Sequence, residues 1–167
     1  MIRASVQTEP IRPEAVLGHV GSDEDGAALL FLGVVRNHAD GRSVRGMHYD
    51  AYEAMAEAVL REIATEASER LGTDHVSVVH RTGDLDVGEV SVAVAVSSPH
   101  RAEAYEASRY VIEEIKKRLP VWKREHYAEG DDAWVEGTVP PGTGGAPGRS
   151  TGGRDDEPVT ATRGGRP

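Results

Sequence analysis

The sequence predicts an α+β domain with a largely antiparallel sheet and flanking helices. Three observations lead there. Valines at 90, 92, 94 and 96 alternate with Ser and Ala, which is the period of a strand. Residues 55–71 and 105–119 carry apolar side chains at three- and four-residue spacing, which is the period of a helix. Asp40-Gly41 is a tight-turn signal between two strand-like stretches, and tight turns join antiparallel neighbours.

The elements follow in order. Residues 26–36 (GAALLFLGVVR) form a continuous apolar run, as in a buried strand. After the turn HADGR, residues 44–52 resume in a loosely alternating pattern. Met55, Val59, Ile63, Ala67 and Leu71 then mark one helix face, and Gly72 supplies a C-terminal stop. Residues 75–81 (HVSVVHR) read as a strand, TGDLDVG as a loop, and 89–97 as the alternating strand. Ser98 is placed to cap the next helix with Pro99 at its first position, which puts His100 and Arg101 in the first turn. Tyr105, Ser108, Ile112, Ile115 and Leu119 mark its apolar face, and Pro120 ends it.

The chain of 167 residues suits one domain. Residues 138–167 hold eight of the 19 glycines and five of the nine prolines, with no aromatic residue. Such a segment cannot offset its ordering entropy by burial, so a folded domain over 1–137 and a disordered tail over 138–167 are expected. The tail has four arginines against three acids, a net +1, so with −9 over the whole chain residues 1–137 carry −10. That acidity argues against nucleic acid or an anionic membrane as partner. There is no cysteine, which excludes disulfides, thiolate nucleophiles and cysteine-held metals. No apolar run approaches the roughly 20 residues that span a bilayer, and the first residues show no leader pattern, so a cytoplasmic protein is expected.

Three groups carry candidate chemistry. His100 and Arg101 sit where a helix N-terminus offers free N–H groups, a setting for phosphate, although first turns are also often simply solvated. Lys116 lies in a last helical turn, where cations are favoured anyway. Lys123 follows Trp122 beside apolar residues, so it is either a lysine with a tuned proton affinity or a surface lysine lying along apolar neighbours. Arg36 ends the apolar strand, where it either lines a cleft or points to water. The seven histidines form no metal-ligand spacing.

The stretches GAALLFLGVVRNHADG, YDAYEAMAE, VVHRTGDLDVGEVSVAVAVSSPHR and IKKRLPVWKRE, followed by Trp134-Val135-Glu136, resemble one family. Over roughly residues 20–136 the chain is similar to the large, catalytic subunits of molybdopterin synthase. The resemblance implies an α/β hammerhead-type fold and a homodimer of large subunits, each binding one small ubiquitin-like subunit to make a heterotetramer. It implies that two sulfurs pass from the small subunit's C-terminal thiocarboxylate to cyclic pyranopterin monophosphate, with no cofactor. By position, Lys116 and Lys123 correspond to the catalytic lysines. Arg36, His100 and Arg101 correspond to phosphate and pterin contacts, and Phe31, Val34, Val35, Arg124 and Glu125 to pocket lining. The chain departs from the family pattern after Glu136, where the next basic residue is Arg149. A rival reading is a non-enzymatic module that binds a ubiquitin-like partner. The joint presence of Arg36, His100, Arg101, Lys116 and Lys123 favours the enzyme.

The expected helix raises a geometric problem. His100 and Lys116 stand 16 residues apart, about 24 Å along a helix axis, further than one pterin reaches. A site shared across a two-fold dimer resolves it, with His100 and Arg101 of one copy facing Lys116 and Lys123 of the other.

Overall fold

The computed structural model describes residues 1–130 and 132–135. Glu136, the expected domain boundary at 137 and the expected tail over 138–167 lie outside the described residues. The chain opens on β1 (Ile2–Gln7) and a short helix α1 (Pro13–Leu17). It continues through β2 (Ala27–Val34), β3 (His38–Ala39), β4 (Arg42–Ala51) and helix α2 (Glu53–Leu71). Strands β5 (His75–Arg81), β6 (Gly83–Asp86) and β7 (Val90–Ser98) lead to helix α3 (Arg101–Arg118). Strands β8 (Val121–Tyr127) and β9 (Ala133–Val135) follow.

The strands form two sheets, where one was expected. The first runs β1-β5-β7-β2 and the second β3-β4-β8-β9, with β6 also paired to β4. Among the described residues the pairs are antiparallel except β1 with β5, so the α+β, largely antiparallel class holds. The sequence reading missed β1 and α1. Ile2, Ala4 and Val6 turn one face of β1 toward the main core, but the apolar signal of six residues is weak. The segment TGDLDVG, expected as a loop, contains β6, because Gly83–Asp86 is held by the ladder to Gly46–Tyr49.

The main core lies between the first sheet and α2 with α3. Val76 and Val78 of β5 and Val92, Val94 and Val96 of β7 meet Leu60, Ile63, Ala107 and Val111. Fully burying each large apolar side chain contributes about 1.5–3 kcal/mol. The other side of β7 is buried as well. Ala93 and Ala95 pack with Val79, Ile11 and Val16 under α1, so small residues there reflect a tight second layer rather than a solvent face.

Both long helices bury much of the expected face, with Ile63 and Ala67 of α2 and Ser108 and Ile115 of α3 inside, but the most buried positions include alanines the expectation passed over. In α2 the buried residues are Ala56, Leu60, Ile63, Ala64 and Ala67, and Gly72 ends the helix in the left-handed conformation at φ 62°. In α3 they are Ala104, Ala107, Ser108, Val111 and Ile115, whereas Tyr105 is 61% exposed. Alanines let the helices approach each other and the sheet, so the close-packed face is the small one. Arg118 of α3 ties the two helices together, 2.7 Å from Glu66 and 2.8 Å from Glu62 of α2.

The start of α3 also differs. Ser98 pairs with Ala27 as the last residue of β7, which fixes it as strand, so it cannot cap the helix. His100 occupies the cap position with φ −128° and ψ 150°, and Arg101 is the first helical residue. At the other end Leu119 takes ψ 124°, the extended conformation imposed on a residue before proline.

Candidate active site

The site is built where β2 leaves the first sheet. The β2–β7 register slips between Gly33 and Val34. A Cβ on Gly33 would come within 2.5 Å of Val92 Cγ1, so only glycine lets β2 lie this close at the bulge. Beyond it Val34 is 47% exposed, Val35 turns inward against Met47, Leu85 and Tyr49, and Arg36 is exposed. The backbone of Val35 is fixed on both sides, its N–H donating to Glu89 and its carbonyl accepting from Gly88.

Strand alternation on β8 supplies the charged groups. Lys123, Glu125 and Tyr127 fall on one face, aligned with Tyr49, Met47 and Val44 of β4. Lys123 Nζ lies 3.2 Å from Glu125 Oε1, and Tyr127 donates its O–H to Glu125 Oε2 at 2.6 Å. Glu125 is only 2% exposed. Burial opposes its charge, yet the Tyr127 and Lys123 hydrogen bonds and the positive charges of Lys123 and Arg36 prevail. The carboxyl is held below its ordinary value of 4.5. Arg36, Lys123 and Glu125 therefore act on one another at one end of the fold.

Lys116 lies in the last turn of α3. Only Pro99 and His100 separate β7 from α3, so α3 runs back along the strand and delivers Lys116 to the end where β2 exits. Phe31 stands on β2 opposite Val94 and packs against the main core. Arg124 is not brought to the Glu125 face. Alternation sends it to the opposite side of β8, where its guanidinium lies 5.2 Å from the Trp134 ring centre.

His100 and Arg101 are exposed just past the Ala27–Ser98 pair, at the opposite end of the first sheet. The eight residues of β2 separate them from Val34 and Arg36, roughly 25 Å at strand rise. Within one chain the expected site is thus split into two basic groups, one at each end of the β2–β7 ladder. Two open depressions, of about 540 and 330 Å³, lie along β1 near Ser5, His19 and Val79, away from both groups. No cluster of His, Asp or Glu among the described residues is arranged to hold a metal ion. No helix among them is long and apolar enough to cross a membrane.

Sequence reasoning missed three residues of this region. Tyr49 pairs with Lys123 in the β4–β8 register. Burial raises the proton affinity of its phenol, and the Glu125 charge adds to that, opposed by the nearby Ser91 hydroxyl. His80 meets the Tyr49 ring edge-on at 5.3 Å and is buried, which lowers its pKa to about 4 and keeps it neutral. Tyr127 braces Glu125. No spacing rule relates these residues in the sequence; the sheet register does.

A two-sheet α+β domain that gathers lysine, arginine and a buried carboxylate at a strand exit is suited to binding a small anion and moving protons at it. The chain belongs to the MoaE protein family, whose model matches residues 6–118. It is 41% identical over 133 residues to a molybdopterin synthase catalytic subunit of Halalkalibacterium halodurans, covering 80% of this chain and 85% of the relative. It is similar to the crystal structure of molybdopterin synthase from Staphylococcus aureus at TM-score 0.75 and 38% identity, covering 80% of this chain and 96% of that one. It also shares its fold with a Helicobacter pylori structure, a complex of subunits 1 and 2 of molybdopterin-converting factor. That likeness has TM-score 0.64 and 22% identity, covering 86% of this chain and 97% of that one.

Proposed function

We propose that this chain is the catalytic subunit of a molybdopterin synthase and acts as a sulfurtransferase. The donor is the C-terminal thiocarboxylate of a small ubiquitin-like subunit. The acceptor is cyclic pyranopterin monophosphate, which becomes the dithiolene of molybdopterin. The observation that carries the reading is the convergence of Arg36, Lys123 and buried Glu125 at the β2 exit, in a chain 41% identical to such a subunit.

The chemistry follows from the residues. With no cysteine, the chain forms no persulfide of its own, so sulfur must arrive already activated on a partner. A thiocarboxylate meets that need. Lys123 and Lys116 stabilise the negative charge that develops as sulfur adds, and they move protons to and from the pterin side chain. Arg36, His100 and Arg101 match the substrate's phosphate, while Val34 offers exposed apolar surface beside Arg36, with Val35 buried between them and Phe31 partly buried further back on β2.

The split of the basic groups supports a site shared by two copies. A pterin cannot span about 25 Å, so His100 and Arg101 of one copy face Lys116 and Lys123 of the other across a two-fold axis. Two small subunits complete a heterotetramer. The test mixes the purified chain with thiocarboxylated small subunit and cyclic pyranopterin monophosphate and measures molybdopterin. Product is expected; well-folded protein that yields none overturns the reading.

A further inference from the structure

We propose that Tyr127 is a positioning residue of this site: it fixes the Glu125 carboxylate so that the other carboxylate oxygen holds Lys123 at the reacting face. The inference rests on the reading of Lys123 as catalytic and adds a residue which that reading does not contain.

The carboxylate is divided between two partners. Glu125 Oε2 accepts the Tyr127 O–H at 2.6 Å, and Oε1 faces the Lys123 ammonium at 3.2 Å. The terminal torsion of a glutamate is broad, so a carboxylate held by one oxygen would turn freely. Held by both, it has one orientation. Glu125 and Tyr127 are buried, at 2% and 5% exposure, whereas Lys123 opens to solvent. The rigid pair thus stands behind the one member of the three that substrate can reach.

Tyr127 is itself clamped. The Arg42 guanidinium lies 3.4 Å from its ring centre, and Arg42 is anchored by donating to the Glu129 carbonyl at 3.0 Å. Val44 is its partner across the strand. A phenol needed only for packing could have given its hydrogen to a backbone carbonyl. Here it meets the carboxylate that touches Lys123.

The charged and titratable groups that face Glu125 are Lys123 and Tyr127 on β8, Tyr49 on β4 and Arg36 after β2. Tyr127→Phe removes one donor to the carboxylate and leaves the others. The carboxylate is then protonated more easily, so the acid limb of the pH profile moves to higher pH. Lys123 loses a fixed partner, so kcat falls about tenfold, the scale of one hydrogen bond to a charged group, with KM nearly unchanged.

The experiment measures kcat, KM and the pH profile of the full chain with thiocarboxylated small subunit and cyclic pyranopterin monophosphate. Wild type, Tyr127→Phe, Glu125→Gln and the double variant are compared, with melting temperatures. The expected result is the kcat loss and acid-limb shift in Tyr127→Phe, and a double variant no slower than Glu125→Gln alone. Arg42→Gln, which unclamps the ring but keeps the hydroxyl, moves the acid limb the same way by less. A Tyr127→Phe enzyme with wild-type kcat and acid limb overturns the proposal, as does an additive double variant. Lys123→Ala separates the two levels. If it is inactive while Tyr127→Phe is unchanged, only the Tyr127 role falls; if it is fully active, the catalytic reading fails and the Tyr127 role with it.

Discussion

The Lys123 ammonium and the Glu125 carboxylate stand 3.2 Å apart on one face of β8, the carboxylate buried and the ammonium open to solvent. The pair places a positive charge at the surface and its counter-charge beneath it. A lysine so held presents its proton in a fixed direction, which a freely moving surface lysine does not.

Lys123→Ala is therefore expected to reduce molybdopterin formation at least about a hundredfold, the scale attributed to one positioned acid or base. Its melting temperature should stay within a few degrees of wild type, because the lysine is at the rim of the core. Lys116→Ala should be strongly impaired as well. Product assays alongside thermal melts check this, and near-normal turnover in both variants would show the lysines to be spectators.

His80 gives the fold a pH dependence. Burial lowers its pKa from 6.5 to about 4, so the folded state keeps it neutral where the unfolded chain takes up a proton. Its contribution is fully present above about pH 6.5 and is lost as pH falls toward 4, worth about 3 kcal/mol across that window. Urea midpoints between pH 4 and 7 should drop more steeply for wild type than for His80→Gln. Parallel curves would mean that His80 is accessible to protons in the folded state.

Arg118 links the helices. It pairs with Glu62, Glu66 and Glu114, and Tyr110 also donates to Glu66 at 2.7 Å. The Arg118 hydrogen bond, and then that from Tyr110, holds the Glu66 carboxyl below its ordinary 4.5. Its contribution is present above that value and is lost as pH falls through the lower folded value. Arg118→Ala is expected to destabilise by about 1 kcal/mol at pH 7, since the pairs are partly exposed. The gap from wild type should close below about pH 4 in denaturant titrations. A gap that persists at low pH would assign the effect to packing.

The sequence announced the long elements because their periodicity follows from burial on one side. Strand β7, both long helices and the Gly72 stop could be read directly. It hid β1, whose six residues carry too little apolar signal, and it misplaced the start of α3. The Ser98-Pro99 pair looks like a cap until the ladder to Ala27 claims Ser98 as strand. For the site, Arg36, Lys123 and Glu125 were accessible through motif resemblance. Tyr49, His80 and Tyr127 were not, because they join the site through strand register. Arg124 shows the converse: it neighbours Glu125 in sequence and faces away from it in the sheet.

The shared site is tested most directly by mixing two inactive chains. Arg101→Ala removes the basic group at the start of α3, and Lys123→Ala removes the one on β8. In a mixed dimer one of the two composite sites carries both mutations and the other carries none. Product formation should therefore return to a fraction of wild type once chains exchange. If exchange is demonstrated and no product forms, the two basic groups act within one chain and the composite site is contradicted.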